Sequence, residues 1–588
     1  MVRTGIGRDN QHEETDRMTH RHTARFVAAL ALSALNLAPV HAQQPVVAPA
    51  PVAAATAVSS PLAEAIRERI DHLRYEDQHD VRGARIVADE LVSLYYESQQ
   101  FQPAWQDVAK LDELVAAIDD LRNDGLDPGD YHFEALQSYR LDVRMGTPLT
   151  NQDRADLELL ATDAFMLGLY HVFVGKVDPV KLSSQWNFSP RPTPGIEQGL
   201  QRFSERLAAG EIREAFERAR PAHVWYQRGR ERLKEYRAIA AAGGWPELPD
   251  GPTLKPGMSD PRMPVLRKRL LVTNDLVAQS GPATPADPNL YDPALELAVK
   301  SFQERHGLTA DGAIGPGTRA AMNVPVAQRI DQIRINLERA RWTLHEMKGE
   351  FVLVDVAGFY VSYFRNDEPI WTSRVIVGKD GRETPVFRSL ITYVVFNPTW
   401  TIPPGILVKD KLPDLKRNPG ALKRMNIRVL DGSGREVNPY SVNWHQYGPS
   451  RLPPYQFRQD PGANNALGLV KIMFPNPYLV YLHDSPAKSL FEQDQRMFSS
   501  GCIRVQKPFE LAELVLNDPQ WNQQTMQQLV ATGETKTVNL KQPVPVLLLY
   551  WTAQPRADGQ VIFRNDVYGR DPPTLAALNS DFRLPVVN

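Results

Sequence analysis

The apolar positions along this chain change period part-way. From about 61 to 244 they recur at helical spacing: Leu62, Ile66 and Ile70 share one face, and Leu111, Leu114, Ile118 and Leu121 share another. Residues 153–174 predict a further amphipathic helix, and Asn123-Asp124-Gly125-Leu126-Asp127-Pro128 predicts a loop. Residues 245–257 are rich in proline and glycine and mark a boundary. Two helices are predicted next, at 264–276 and 293–306. The second places Leu297, Ala298 and Phe302 at core spacing, Gly307 caps it, and Thr318 opens a third short helix. From 350 the period becomes that of strands, at 351–356, 360–364, 373–377, 391–396 and 479–482. A helix at 508–516 and late strands at 545–551 and 560–563 follow. Between 403 and 459 the alternation fails, leaving a polar, loop-rich stretch with a short helix at 410–415. A loop of that length inside a compact domain is usually functional, and it reads as a lid inserted over about 404–460.

The pattern predicts a multidomain α+β protein. An N-terminal α-helical scaffold covers 59–250, a three-helix module 258–326, a connecting helix 327–349 and a β-rich domain 350–588. Hydrophobic residues make up 42% of the 588, enough for several cores. A formal net charge of -2 leaves no global basic field for nucleic acid or an anionic membrane. Ahead of the helices, residues 1–42 read as a cleavable signal peptide: basic positions from Arg21 to Arg25, a short apolar run, then Val40-His41-Ala42. The run is too short for a confident membrane span, although a retained anchor is the alternative. Residues 43–58 form an Ala/Pro-rich linker. Asp9, Glu13, Glu14 and Asp16 suit no signal peptide, so translation is expected to start at Met18 and the mature chain at Gln43. The expected location is the periplasm.

The chain has one cysteine, Cys502, in Phe498-Ser499-Ser500-Gly501-Cys502-Ile503-Arg504. In an exported protein a lone cysteine has no intramolecular disulfide partner. It either packs as a small buried residue or acts as a nucleophile, and the small residues before it suit a tight turn that exposes the sulfur. A base is needed, and His483, at the end of an apolar run, is the candidate. If that run is a strand, Asp484 points to the opposite face and a backbone carbonyl orients the imidazole. Backbone N–H groups of Gly501 and Cys502 are the oxyanion-hole candidates. Tyr481, Ser499, Ser500 and Arg504 are substrate-binding candidates. For Arg504 a structural ion pair is equally expected, and Tyr481 either lines the cleft or merely packs.

His483, fifteen intervening residues and then Ser499-Ser500-Gly501-Cys502-Ile503-Arg504 resemble the active-site signature of the L,D-transpeptidases, cysteine acyltransferases of peptidoglycan. The residue before Gly-Cys is often His in that family and is Ser500 here, so Ser500 receives no proton-transfer role. Residues 396–404 and 461–468 also resemble the family, and the domain order resembles its large, periplasmic, lid-bearing members. Phe302-Gln303, Gly307-Leu308, Asp311-Gly312, Gly315 and Thr318 resemble a peptidoglycan-binding module. The resemblance implies that Cys502 attacks a donor tetrapeptide stem, releases D-Ala and passes the acyl group to an amine of an acceptor stem, forming a 3→3 cross-link. It also implies acylation by carbapenems. Water as acceptor would give a carboxypeptidase or endopeptidase from the same residues, and a non-enzymatic wall-binding scaffold is a third reading. No cofactor, metal or nucleic acid is expected. Ser485-Pro486-Ala487-Lys488 matches S-x-x-K but lacks that motif's companions and is set aside.

Overall fold

The computed structural model describes residues 60–75, 79–184, 186–192, 195–276 and 287–582. The signal peptide, the linker and the proposed start at Met18 lie outside them. Among the described residues no helix is long and apolar enough to cross a membrane.

The scaffold is a helical bundle around the helix Asn151–Phe173. Thr150 and Asp153 cap that helix reciprocally, a device that satisfies two orphan N–H groups. The sequence pattern predicts one buried face, but this helix is buried nearly all round. Its polar residues tolerate the core because each is paired. Glu158 accepts from the N–H groups of Ala104 and Trp105 at 2.7 and 2.9 Å. Asp163 accepts from Ala88 N–H at 2.6 Å and meets His132 at 2.7 Å.

In the small module, Asp292 caps the helix Pro293–Arg305. Leu295, Ala298, Val299 and Phe302 enter the core, whereas Leu297, expected there, is 70% exposed. The helix is turned so that 295 and 299, not 297, share the face of 298 and 302. The third helix begins at Pro316, and Thr318 lies inside it, buried. The Gln303 amide holds this arrangement together. It donates to Asp311 Oδ1, the Ala313 carbonyl and Thr318 Oγ1, and accepts from Gly312 N–H. The motif residues of this module therefore also form one structural network.

The main sheet of the β-rich domain has nine strands. Strand Tyr360–Arg365 pairs with Glu368–Gly378 as well as with Phe351–Asp355, so eight of the nine close into a ring. Closure removes exposed edges. The expected strand at 479–482 is only Leu482–His483, because Leu479 has a left-handed backbone (φ 57°) that breaks extension. The lid departs most from expectation. Residues 404–417 are continuously helical, the strand Gln456–Gln459 pairs with Trp400–Thr401 on one side and Ile427–Leu430 on the other, and Trp444, Leu415, Leu422 and Phe457 form a core of its own. Short elements and isolated apolar residues hid this core from a periodicity argument.

The connecting helix, Val326–Thr343, is the axle of the molecule. Glu338 and Arg341 on it are ion-paired with side chains 0% exposed. Glu338 accepts from Val177 N–H of the scaffold at 2.8 Å, and Arg341 donates to the Asp124 carbonyl at 2.8 Å. Towards the β-rich domain, Asn336 donates to Thr552 at 2.7 Å and Arg339 pairs with Asp571 at 2.7 Å. The end of the chain returns to the scaffold: Leu578 enters its core and the Phe582 ring lies 4.3 Å from that of His171. The last helix, Asp571–Leu578, thus belongs partly to the N-terminal bundle, and the β-rich domain is not a self-contained 350–588 unit.

Removing one member of a buried ion pair strands the other without solvent. Glu338→Gln is expected to destabilise the protein by about 3–5 kcal/mol, read as a lower midpoint in denaturant unfolding. An unchanged midpoint would show that the pair is not needed to join the domains.

Candidate active site

Cys502 sits in the turn between strands Met497–Ser499 and Ile503–Val505. The turn is tied from three sides. Ser499 Oγ donates to the Cys502 carbonyl at 2.6 Å and accepts from Gly501 N–H at 3.1 Å. The buried Thr384 hydroxyl donates to the Gly501 carbonyl at 2.8 Å. Gly501 has φ 113°, a conformation side chains rarely adopt, so glycine is required there. The thiol, half-buried, donates to the Leu479 carbonyl at 3.5 Å. That carbonyl is presented by a loop folded over the Asn476 amide, which accepts from Tyr478 and Val480 N–H and donates to the Phe474 and Val480 carbonyls.

His483 is buried on the neighbouring strand, in parallel register with Arg504. Its Nδ1 donates to the carbonyl of Asp484, which leaves Nε2 as the basic nitrogen. The Asp484 carboxylate is engaged elsewhere: it accepts from Leu469 N–H at 3.0 Å and pairs with Lys488. Gly468 makes room for it, since a Cβ there would lie 2.4 Å from the carboxylate. The Ser485-x-x-Lys488 match is thus tied into this packing: Ser485 is buried and Lys488 serves Asp484.

Burial dominates the electrostatics. It pushes the His483 pKa down to about 3, helped by the Arg504 charge. Burial also raises the Cys502 thiol, against the opposing pull of Tyr481, Lys471 and Arg504. At neutral pH the imidazole is therefore uncharged, and burial favours the uncharged form of the thiol in the same cleft.

Tyr481 lies edge-on to His483, with ring centroids 5.7 Å apart. The Lys471 ammonium stands 4.0 Å from the Tyr481 ring centroid, and Lys471 is directly opposite His483 in the antiparallel register. Arg504 lines the cleft and its buried Nε has no hydrogen-bond partner, so the structural ion pair weighed from sequence is not found among the described residues. Ser500 is exposed and accepts from Arg382 at 2.9 Å. Ser499, expected to bind substrate, is buried and committed to the turn. Gly501 N–H, expected in an oxyanion hole, is committed to Ser499, whereas nothing among the described residues accepts from Cys502 N–H.

These groups line a cleft of about 920 Å³ bounded on one side by the lid. Its walls carry Lys379, Arg382, Lys409, Lys411, Arg424 and Arg504 against Glu383 and Asp410, so the rim is net positive. Arg382 pairs with Asp410 of the lid. Sequence reasoning missed Thr384 and Lys471. Nothing local marks Thr384. A lysine in the apolar run Val470-Lys471-Ile472-Met473 was a visible signal. Among the described residues no group of three His, Cys, Asp or Glu could hold a metal ion.

Residues 349–546 match the L,D-transpeptidase catalytic domain (YkuD). Residues 90–233 match a scaffold domain and 271–322 a family provisionally described as a peptidoglycan binding domain. A Haemophilus influenzae protein provisionally named an L,D-transpeptidase is 35% identical over 231 residues, 39% of this chain and 46% of that protein. This chain thus matches just under half the length of that relative. The L,D-transpeptidase structure from Xylanimonas cellulosilytica is 15% identical, covering 52% of this chain and 100% of its own, with a TM-score of 0.17. That from Stackebrandtia nassauensis is 14% identical, covering 52% and 96%, with a TM-score of 0.20.

Two outcomes follow for this site. Because burial lowers the His483 pKa, the ring is expected to stay neutral and Nδ1-protonated from pH 8 down to pH 5, read from its ¹⁵N shifts. A titration near the ordinary value of about 6.5 would contradict the buried neutral ring. Because Lys471 favours the thiolate, Lys471→Met is expected to move the pH inflection of Cys502 alkylation by iodoacetamide upward. An unmoved inflection would leave Lys471 no electrostatic part.

Proposed function

We propose that the protein is a periplasmic peptidoglycan L,D-transpeptidase that forms 3→3 cross-links through a Cys502 acyl-enzyme. The observation that carries this reading is the thiol and a neutral imidazole lining one lid-bounded, positively rimmed cleft. Cys502 Sγ attacks the carbonyl between the third and fourth residues of a donor tetrapeptide stem, and His483 Nε2 takes the thiol proton. The Cys502 N–H, which has no acceptor among the described residues, is a donor for the resulting oxyanion. Collapse breaks the peptide bond, and His483 returns the proton to the amine of the departing D-Ala. An amine of a neighbouring stem then attacks the thioester, loses its proton to His483, and expels the thiol as the amide forms. A neutral base beside a protonated thiol suits this sequence, because the proton is transferred only when the carbonyl is in place.

The basic rim favours the carboxylates of stem peptides, and Arg504, whose Nε finds no acceptor among the described residues, is a candidate to receive one. The small module supports a role in holding wall polymer. Water as acceptor would use the same residues.

The purified protein incubated with disaccharide-tetrapeptide is expected to give cross-linked dimer and D-Ala by mass spectrometry, and a carbapenem a single adduct at Cys502. Cys502→Ala should abolish dimer and adduct, and His483→Ala should slow turnover by about 10²–10⁴-fold. Tripeptide without dimer would make the protein a carboxypeptidase, and wild-type turnover by Cys502→Ala would end the mechanism.

A further inference from the structure

One side chain joins the lid to the turn that carries Cys502. Arg382, in the loop after strand Glu368–Gly378, forks onto the Asp410 carboxylate of the lid. One of the same two nitrogens also donates to Ser500 Oγ at 2.9 Å. Ser500 stands two residues before Cys502, next to the glycine whose φ of 113° sets the turn. A planar guanidinium with five donors can serve two acceptors at once, which a point charge does less well. Among the described residues no other hydrogen bond or ion pair joins the helical segment 404–417 to the main sheet or its loops.

The rest of the Arg382 loop is held without the lid. The Gly378 carbonyl accepts from the Tyr568 hydroxyl at 2.6 Å, and Glu383 pairs with Arg570 at 2.9 Å. Lys379 N–H donates to the Ser499 carbonyl at 3.0 Å, and Thr384 holds the Gly501 carbonyl. The loop backbone is thus fixed against the sheet, and the Arg382 side chain is the part that answers to the lid. The hydrogen bond from Arg382 holds the Asp410 carboxyl below the usual carboxylate range, with help from the charges of Lys379 and Lys411, so the pair is ionised at neutral pH.

We propose that Arg382 is a positioning residue through which the lid sets the Cys502 turn. With Asp410 in place, the guanidinium is held on Ser500 and the turn is fixed. With the lid displaced, the guanidinium is free to leave Ser500 and the turn loosens. Arg382 acts through Ser500 and not on the reacting atoms. The inference rests on the reading of Cys502 as the nucleophile. A substrate chain must pass the lid to enter the cleft, so the turn reaches its working geometry only once the lid has come back over that chain.

The test compares the full-length protein with Asp410→Asn, which keeps the shape of the lid residue and loses its charge. Amide hydrogen exchange should quicken at 407–411 and also at 497–505, a segment with no hydrogen bond or ion pair to Asp410. Unchanged exchange at 497–505 overturns the proposal. Turnover of disaccharide-tetrapeptide should lose about fivefold in kcat with KM held within about twofold. A raised KM at unchanged kcat would mean that the pair only retains substrate under the lid, and overturns the positioning role. Ser500→Ala should cost about as much in kcat, and the double variant no more than either single, because both cut one path. Costs that multiply in the double variant overturn it. Should Asp410→Asn not fold, Asp410→Ser at the same part-exposed position is read identically. Exchange that couples the two segments in a protein that turns over no tetrapeptide supports the link while overturning the catalytic reading.

Discussion

The buried carboxylate of Glu338 is the constraint around which this molecule is assembled. It accepts from a scaffold backbone N–H, from the Trp342 indole and from Arg341, and none of these groups has access to water. Arg341 in turn reaches the Asp124 carbonyl and the Tyr226 hydroxyl, while the Asp124 carboxylate is held by Arg220 and Arg230. A buried ionic network is stable only when every member is satisfied, so the scaffold and the connecting helix can dock in one way. Gly175 enforces the closeness, since a Cβ there would lie 2.6 Å from Glu338 Oε1. Because the same helix carries Asn336 and Arg339 to the catalytic domain, its placement fixes the relation of the other two bodies.

The active site follows a different economy. Burial favours the uncharged forms of Cys502 and His483, and the site's ties are spent on backbone: Ser499, Thr384 and Asn476 all act on carbonyls and N–H groups around the thiol. Charge is kept at the periphery, in Lys471 over an aromatic face and in a rim of basic side chains. Such a site holds its geometry before substrate arrives, and it admits charge only as the reaction creates it.

The domain order, and the placing of Cys502 and His483 on one cleft, were legible because they rest on local signals: helical spacing, strand alternation, and a glycine before the cysteine. What escaped depended on tertiary context. The helix Asn151–Phe173 reads as amphipathic, yet its charges are buried because partners arrive from distant segments. Ser499 and Gly501 read as ligands for substrate, yet they bond to one another across a turn whose geometry no spacing rule supplies. The lid reads as loop because its core is gathered from isolated residues such as Trp444 and Phe457.

The return of Phe582 and Leu578 to the N-terminal bundle sets the order in which the chain can mature. The first domain to leave the ribosome lacks part of its own core until nearly the whole polypeptide has followed. Contacts this distant in sequence form late and close a long loop. A truncated chain therefore carries a flaw at its beginning as well as at its end. The bundle acts as a seal that closes only once the segment through Phe582 has emerged, and proteolytic quality control would meet a shorter copy already loosened around the helix Asn151–Phe173.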